Sequence, residues 1–413
     1  MVLWTRSLRG SGERKATLRP KIARLGGVLA VGVALTVGLA ACGSDSGSSS
    51  EGGDSAAPTT LKIGFMGDLS GENSGIVIPP SNGAQLAVDE YNATNPKVKL
   101  EMIKYDSKAD PTTAVSLAQQ AIKTDKVVAL VGPAFSGESK QVGPLLEEAK
   151  IPSISASATA VALAENGWKY WHRVVPNDGV QGPAIADFIV GAAAAKKVFV
   201  VDDKSEYGKG LGDAVRAQLK AKSATVTDDA LDPNAADYSS TVNKIASAKP
   251  DALFFGGYYA AAGKLLKQLR DKGVTAKFFS ADGSLDKGII ESAGAPQAEG
   301  ALIGCPCRIP TAAETDEKVK KFAADYKAKF GADPLIYATE GYDAMTTFTK
   351  AIGSGATTAE AINEAVGKSD FDGISKHIKF DPNGEPSAKS IYMYEVKGGQ
   401  IGLLGDTTTA KLG

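Results

Sequence analysis

Residues 127–159 read VVALVGPAFSGESKQVGPLLEEAKIPSISASAT, and the order of residue types in this stretch predicts the fold. The β-branched and apolar run Val127–Val131 predicts a strand, and a loop of small residues separates it from a segment of helical composition. Pro152 disfavours helical geometry at Ile151, where the next predicted strand, Ile151–Ile154, begins. Strand, helix and strand in this order make a βαβ unit, and such units build parallel sheets.

The same alternation of strands and helices continues through the chain from Leu61 onward. Amphipathic segments of about 10–15 residues separate short apolar runs, as expected for repeated βαβ units. About 350 residues with this pattern exceed the roughly 250–300 that one hydrophobic core serves, so we expect an α/β protein with two lobes. The remaining predicted strands are Leu61–Met66, Lys99–Tyr105, Val198–Val201, Ala252–Phe255, Lys277–Ser280 and Ala301–Gly304.

The amino terminus has the composition of a lipoprotein export signal. Seven basic residues and one acid precede an apolar stretch that begins at Leu25 and leads to Leu39-Ala40-Ala41-Cys42. The small residues before Cys42 suit a peptidase that removes residues 1–41, so we expect lipidation of Cys42. An uncleaved membrane span is the alternative, but a bilayer needs about 20 apolar residues and this stretch is short and glycine-rich. The Gly/Ser-rich residues 42–60 predict a flexible tether to the outer face of the cell membrane.

Charge and cysteine content narrow the class of protein. Removal of residues 1–41 takes away seven basic residues and one acid, so the formal charge moves from -1 to about -7. The sequence contains no basic stripe of the kind that would indicate nucleic-acid binding.

The cysteine content is that of an exported protein. With Cys42 lipidated, Cys305 and Cys307 remain, and an even number suits an oxidising compartment. Their spacing permits the roughly 4.4–6.8 Å between α carbons that a disulfide needs, so we expect a disulfide. A redox or metal-binding pair is the alternative, although two thiols alone do not complete a tetrahedral site. We predict no metal and no cofactor.

Candidate ligand-binding residues follow the predicted strands, because open parallel sheets bind ligands at the carboxyl ends of their strands. The loops 132–137 and 155–159 are small and rich in hydroxyl groups, which suits a carboxylate held by hydroxyls and helix-terminal amides. The loops 202–208, 256–259 and 281–283 contain tyrosines and acids, and an acid is what an ammonium group needs. Each loop alone is typical of a surface turn, but their recurrence at successive strand ends favours one shared site.

Several of these motifs together resemble the leucine/isoleucine/valine-binding proteins of ABC importers, over nearly all of 61–413. The resemblance implies a type I periplasmic-binding protein fold, with two doubly wound parallel-sheet lobes joined by three hinge crossovers near 176–180, 303–307 and 381–387. The first lobe is then 61–177 plus 305–384, and the second is 178–304 plus 385–413. The matching motifs are residues 61–71 (LKIGFMGDLSG), Tyr105-Asp106, Asp110-Pro111, Gln181-Gly182-Pro183, Glu206-Tyr207-Gly208 and Phe255-Gly256-Gly257-Tyr258.

The resemblance also implies roles for individual residues. Ser136 matches the serine that binds the ligand carboxylate, and Thr159 matches the threonine that helps to fix the amino-acid backbone. Ser157 falls where a backbone carbonyl meets the ammonium group. Tyr207 and Tyr258 match pocket tyrosines of the second lobe, and Asp282 falls at the acid that pairs with the ammonium group.

This sequence departs from the family pattern at a few of the matching positions. The acid at position 282 is commonly glutamate, so Asp282 is one methylene shorter. Ile76 stands where the family places an aromatic residue, and Ala109 and Phe135 replace a cysteine pair of the first lobe. The head-group site therefore stays intact in the prediction, whereas the side-chain specificity does not follow from the resemblance.

The predicted protein is a monomeric solute-binding lipoprotein that delivers a branched-chain or related amino acid to an ABC permease by closing two lobes on it. An amide or urea ligand, and a sensory receptor without transport, are alternatives within the same fold. An enzyme is the alternative from another class, but neither a P-loop nor a Gly-x-Ser-x-Gly elbow occurs. Of the two histidines, His172 is expected to be packed or on the surface, and His377 lies in a predicted alternating strand.

Overall fold

The computed structural model describes residues 59–412, which form two large β-sheets flanked by helices and a separate two-stranded sheet. The strands are β1 (Thr59–Gly67), β2 (Val98–Asp106), β3 (Ala129–Val131), β4 (Ser153–Ser155), β5 (Trp171–Arg173), β6 (Lys197–Asp202), β7 (Thr225–Ala230), β8 (Ala252–Gly256), β9 (Lys277–Ser280), β10 (Leu302–Cys305), β11 (Asp370–Asp372), β12 (His377–Lys379), β13 (Tyr392–Lys397) and β14 (Gln400–Asp406). The α-helices are α1 (Ile78–Ala93), α2 (Pro111–Gln120), α3 (Ser136–Ala149), α4 (Asp178–Val190), α5 (Glu206–Ala221), α6 (Ser239–Ala248), α7 (Tyr259–Asp271), α8 (Gly288–Ala293), α9 (Ala295–Ala298), α10 (Glu317–Phe330), α11 (Ala338–Gly353) and α12 (Ala359–Gly367).

The first sheet is parallel throughout, in the strand order β2-β1-β3-β4-β5. The short strands β3 and β4 are wholly buried, as expected for a parallel sheet covered by helices on both faces. Helices α1 to α3 follow its strands, and α10 and α11, from much later in the chain, pack on α1. We call this sheet with α1–α3 and α10–α12 the first lobe.

The second sheet is mixed, in the order β14-β13-β10-β9-β8-β6-β7. Its strands β6 to β10 are parallel, as predicted, and one antiparallel edge is added to them, because β13 pairs antiparallel with both β10 and β14. The β13–β14 hairpin turns at Gly398 and Gly399, whose φ angles of 59° and 73° are those of a tight hairpin turn that glycine adopts readily. We call this sheet with α4–α9 the second lobe.

The predicted strands lie within two residues of the observed ones at either end. The first strand begins at Thr59 instead of Leu61, so Thr59 and Thr60 belong to the sheet and not to the tether. Strand β7 was not predicted, because its sequence TVTDDA is polar and lies at a sheet edge, where half of its residues are exposed. The remainder of the predicted tether, the export signal and the lipidated Cys42 lie outside the described residues.

The chain passes between the lobes three times, and buried polar contacts hold two of these passages. The first passage leaves β5, where the buried Arg173 donates from Nε to Glu385 at 2.7 Å. Glu385 lies on the third passage, after β12, so one ion pair joins two of the three connections. On the second passage, after β10, Cys305 and Cys307 form a disulfide with α carbons 5.0 Å apart. Within residues 59–412, none of the helices combines the length and apolarity required to cross a membrane.

Candidate functional site

Five of the six predicted ligand-binding residues line one small cavity between the two lobes. Strands β3 and β4 of the first lobe lead into the loops of Ser136 and Ser157, while β6, β8 and β9 of the second lobe lead to Tyr207, Tyr258 and Asp282. This arrangement follows the rule that open parallel sheets bind ligands at the carboxyl ends of their strands, which we call the strand-end rule. The volume of the cavity is about 10 Å³, room for about one water molecule, so groups of both lobes nearly touch. Its lining residues are Ile76, Val77, Ala134, Phe135, Ser136, Ser157, Tyr207, Tyr258, Asp282 and Tyr337.

Thr159 is the one predicted ligand-binding residue that does not line this cavity. It lies in the same loop as Ser157 and is fully buried. Its backbone carbonyl accepts a hydrogen bond from the amide of Asp178 at 2.8 Å, and its side chain lies beside the Asp178 carboxylate, whose pKa it helps to lower. Thr159 therefore lies behind the wall of the cavity, next to the start of α4.

The serine hydroxyls on the first-lobe side hold the two loops together. Ser136, the first residue of α3, accepts a hydrogen bond at Oγ from the amide of Ala160 at 3.1 Å. Ser157 donates from Oγ to the carbonyl of Ala134 at 2.7 Å. The Ser136 hydroxyl is an acceptor in its bond, so its own proton remains available to a ligand. The amino terminus of α3 adds backbone N–H groups and the positive end of the helix dipole, which suit an anion.

Asp282 is the centre of hydrogen bonding on the opposite side. Its Oδ1 accepts from Gln181 Nε2 at 2.6 Å and from the Tyr207 hydroxyl at 2.8 Å, and its Oδ2 accepts from the Tyr337 hydroxyl at 2.8 Å. Burial raises the pKa of Asp282, and these three donors oppose that rise by favouring the carboxylate. Because Oδ2 has only one donor, it keeps a free acceptor position for an N–H group of a ligand.

Two of the donors to Asp282 were not predicted. Gln181 belongs to a motif that matched the family, but it carried no predicted role. Tyr337 follows no strand, so the strand-end rule did not reach it. Tyr337 caps α11 with a φ of 60°, an unusual conformation for a tyrosine, and its side chain extends from the first lobe to Asp282 of the second.

Aromatic and aliphatic side chains complete the cavity wall. The Tyr258 ring meets Phe135 edge-on at 5.4 Å between centroids and lies 5.3 Å from the Tyr207 ring. Burial raises the pKa of Tyr207 and of Tyr258 well above 10, so both hydroxyls stay protonated. Ile76 and Val77 form an aliphatic edge at the position where the family pattern has an aromatic residue.

A wider space adjoins the cavity at the outer edge of the cleft. One part of it has a volume of about 580 Å³ and shares Phe135, Tyr207 and Tyr258 with the cavity wall. Several acids line it, and two of them are engaged within the protein: Asp110 caps α2, and Glu206 accepts from Lys140 of the other lobe at 2.9 Å. Tyr259 of the second lobe also donates to the carbonyl of Glu72 in the first. These contacts join the lobes around the cavity.

Neither histidine lines the cavity. His172 is buried against Phe380, and burial lowers its pKa to about 4. His377 is exposed between Asp370 and Asp372 of the β11–β12 hairpin, at 2.9 Å and 2.7 Å from their carboxylates. In the part of the chain from 59 to 412, no three His, Cys, Asp or Glu side chains are grouped so as to hold a metal ion.

Comparison with known proteins shows the family to which this chain belongs. A family model described as periplasmic binding protein matches residues 60–400. An amino acid binding protein of Pseudomonas aeruginosa is 30% identical over 341 residues, which cover 81% of this chain and 89% of that protein. The leucine-, isoleucine-, valine-, threonine-, and alanine-binding protein of the same organism is 28% identical, over 83% of this chain and 91% of that protein.

Solved structures show the same fold. The branched-chain amino acid transporter substrate binding protein LivJ of Streptococcus pneumoniae, in complex with isoleucine, aligns with a TM-score of 0.77 and 29% identity. That alignment covers 83% of this chain and 98% of LivJ. The leucine binding protein LivK of Thermotoga maritima aligns with a TM-score of 0.77 and 28% identity, over 84% of this chain and 98% of LivK.

Proposed function

Because this chain belongs to the periplasmic binding protein family, we propose that it binds a branched-chain or related amino acid outside the cytoplasm and delivers it to an ABC permease. The observation that supports this most directly is Asp282. It is a buried carboxylate that faces the Ser136 hydroxyl and the start of α3 across one cavity. An acid on one side and anion-binding groups on the other match the two charges of an amino acid.

The head group of the ligand would be shared between the lobes. Ser136 and the amides at the start of α3 receive the carboxylate, while Asp282 receives the ammonium group through the free position on Oδ2. Ser157 and Thr159 belong to the loop that carries backbone acceptors beside these groups. A charged hydrogen bond inside a dry cavity is stronger than in water, which favours a ligand with both charges over a neutral amide.

The side chain of the ligand would meet Ile76, Val77 and Phe135. These residues provide an apolar surface without a charged group, which suits an aliphatic side chain. The relatives support this choice by their own ligands, since one is named for leucine, isoleucine, valine, threonine and alanine and another was solved with isoleucine.

Binding and delivery would proceed by closure of the two lobes. The first lobe comprises 61–177 and 305–384 in this proposal, and the second comprises 178–304 and 385–413. The ligand's partners lie on both lobes, so only a narrowed cleft lets them reach one small molecule together. A permease can then recognise the closed form, because it responds to ligand only through a difference between states. Lipidation at Cys42 would hold a monomer at the outer face of the membrane, beside its permease.

The proposal is tested by calorimetry on the chain from residue 42 with Cys42→Ser, using L-isoleucine, its amide and urea. We expect L-isoleucine to bind and Asp282→Asn to weaken binding at least tenfold, since an uncompensated buried charge costs about 2–5 kcal/mol. Asp213→Asn, an exposed acid on α5, is the control and should bind as the wild type does. If the amide binds to the wild type as tightly as L-isoleucine does, the alternative of an amide or urea ligand is favoured instead. Unchanged affinity in Asp282→Asn contradicts the assignment of the ammonium site.

A further inference from the structure

Three aromatic residues stand between the small cavity and the wider space beside it. Phe135, Tyr207 and Tyr258 line both of them, and we call these three residues the aromatic wall. Phe135 belongs to the first lobe, whereas both tyrosines belong to the second. The Phe135 ring meets the Tyr258 ring edge-on, with 5.4 Å between their centroids. The wall is therefore complete only when the two lobes lie this close together.

The tyrosine half of the wall is held in place by the turn of Asp282. The Tyr207 hydroxyl donates to Asp282 Oδ1 at 2.8 Å and accepts from the amide of Gly283 at 3.0 Å. Both rings also lie directly against Gly283, where a Cβ atom would be 2.7 Å from the Tyr207 ring and 3.1 Å from the Tyr258 ring. Neither ring can therefore withdraw toward this turn to make room for a ligand.

The Phe135 half of the wall is fixed by the start of α3. The Phe135 amide donates to Glu138 Oε2 at 3.3 Å, and its carbonyl accepts from the amide of Ser139 at 2.9 Å. Phe135 immediately precedes Ser136, which the proposed function places on the ligand carboxylate. The ring, whose residue is 6% exposed, is thus held one residue away from the head group. The distance from the head group to the wall is set by the same backbone.

This geometry limits the length of the ligand side chain. A side chain that ends before the wall allows Phe135 and Tyr258 to meet, so the lobes can close on the ligand. A longer side chain has to pass between the two rings and keeps the lobes apart. Because the partners of the head group lie on both lobes, a ligand that prevents closure loses contacts on one side. A close-fitting apolar pocket discriminates by about 10–200-fold for a single methylene group.

The space beyond the wall does not favour an apolar side chain. Its volume is about 580 Å³, against about 10 Å³ for the cavity, so room alone does not exclude a larger ligand there. Its surface is highly charged, and an apolar group placed there would bury charged groups without giving them partners. Among the residues that the structure describes, one base and six acids line it: Lys108, Asp68, Glu72, Asp110, Glu138, Asp203 and Glu206.

We propose that Phe135 sets the upper size limit of the ligand, so that the site takes aliphatic amino acids up to the size of isoleucine and excludes aromatic ones. This inference rests on the proposed function and adds the size class of the ligand to it. Phe135 also stands where the family pattern has a cysteine, so the limit that it sets is a property of this chain.

The test is calorimetry with L-isoleucine and L-phenylalanine, which share one head group and differ in the size of the side chain. The ratio of their two Kd values is the measurement, because damage to the head-group site weakens both ligands alike. For the wild type we expect L-isoleucine to bind at least about 100-fold more tightly. In Phe135→Ala we expect this preference to fall at least about tenfold, since removal of the ring opens a ring-sized space beside the ligand.

Two further substitutions make the result specific. Phe135→Leu keeps an apolar side chain of smaller volume, and it should lower the preference at least about threefold even where Phe135→Ala does not fold. Phe322→Leu is the matched control. Phe322 is also buried, at 4% exposed, and meets the Tyr342 ring edge-on at 5.2 Å, but it belongs to a separate apolar cluster of the first lobe. This variant should keep the wild-type ratio.

The possible outcomes separate the two proposals. The role of Phe135 is overturned if the wild type binds L-phenylalanine as tightly as L-isoleucine, or if Phe135→Leu keeps the wild-type ratio. If L-isoleucine binds in that case and Asp282→Asn weakens its binding, the proposed function stands. If L-isoleucine does not bind to the wild type, the proposed function fails and this inference fails with it.

Discussion

At the scale of single residues, burial decides how the ionisable groups behave. Asp178, Glu138 and Asp343 are buried acids with raised pKa values, and His172 is a buried base with a lowered one. All four shifts have desolvation as their largest cause, because a low-dielectric interior disfavours the charged form. Such groups link folding to pH.

His172 allows this link to be measured. Its pKa is lowered to about 4 by burial, so on acidification the unfolded chain takes up a proton near pH 6.5 while the folded protein does not. Its contribution to stability is therefore complete above pH 6.5 and is lost progressively down to about pH 4, by roughly 3 kcal/mol. We expect His172→Gln to lose less stability than the wild type between pH 7 and 4.5 in urea titrations.

The control is His377→Gln. His377 is exposed, and its hydrogen bonds to Asp372 and Asp370 raise its pKa, so its stabilising effect is present at low pH and is lost as the pH rises. This variant should not reduce the loss of stability between pH 7 and 4.5. An acid-induced loss that is the same in His172→Gln as in the wild type would contradict the assigned role of His172.

At the scale of elements, the closest helix contact joins parts of the chain that are far apart in sequence. Helices α1 and α11 pack through two glycines. A Cβ atom at Gly83 would lie 2.0 Å from the carbonyl oxygen of Ala338, and one at Gly341 would lie 2.1 Å from that of Pro80. Because both neighbours are backbone atoms, neither can move aside alone. This contact fixes α11 and, with it, the position of Tyr337.

Gly341→Ala should therefore separate the two helices. We expect a loss of at least about 1–3 kcal/mol in the free energy of unfolding, the usual cost of overpacking. Gly210→Ala in α5 is the matched control, since a Cβ there meets nothing within 4 Å. It should be stabilising by roughly 0.5–1 kcal/mol, because alanine favours a helix over glycine. Equal stability of the two variants in denaturant titrations would contradict the tight-contact explanation.

At the scale of the whole molecule, a few polar contacts connect the lobes across the cleft. The Tyr337 hydroxyl of the first lobe reaches Asp282 of the second at 2.8 Å, and Lys140 reaches Glu206 at 2.9 Å. The second pair is exposed and contributes little. The first is buried and ends on a carboxylate, so in the proposed closure of the lobes it would favour the closed arrangement.

Small-angle scattering tests this closure. We expect L-isoleucine to lower the radius of gyration of the wild type. Tyr337→Phe should bind roughly 10–100-fold more weakly, since a hydrogen bond to a charged group contributes about 1.5–3 kcal/mol. Tyr326→Phe is the control, because its hydroxyl bonds to the carbonyl of Pro79 within the first lobe. Tight binding with an unchanged radius of gyration in the wild type would refute closure.

The sequence by itself determined those features of the fold and the site that depend on residues close together along the chain. The β-branched runs predicted the positions of β1 to β4, β6 and β8 to β10, because alternating strand and helix composition is a local property. The strand-end rule then predicted the loops of Ser136, Ser157, Tyr207, Tyr258 and Asp282, and the structure brings these five side chains to one cavity. The sequence also predicted the Cys305–Cys307 disulfide, whose partners are separated by a single residue, Pro306.

Only the tertiary structure decided what depends on residues that are distant along the chain. Tyr337 and Asp282 are 55 residues apart, Gln181 and Asp282 are 101 apart, and Arg173 and Glu385 are 212 apart. No local pattern encodes such pairs, since each arises when whole elements pack. The antiparallel edge of the second sheet belongs to the same class, because strand direction depends on where the chain returns after its third passage between the lobes. The burial that raises the pKa of Asp178 likewise exists only once α4, the loop of Thr159 and the turn of Asp282 have come together.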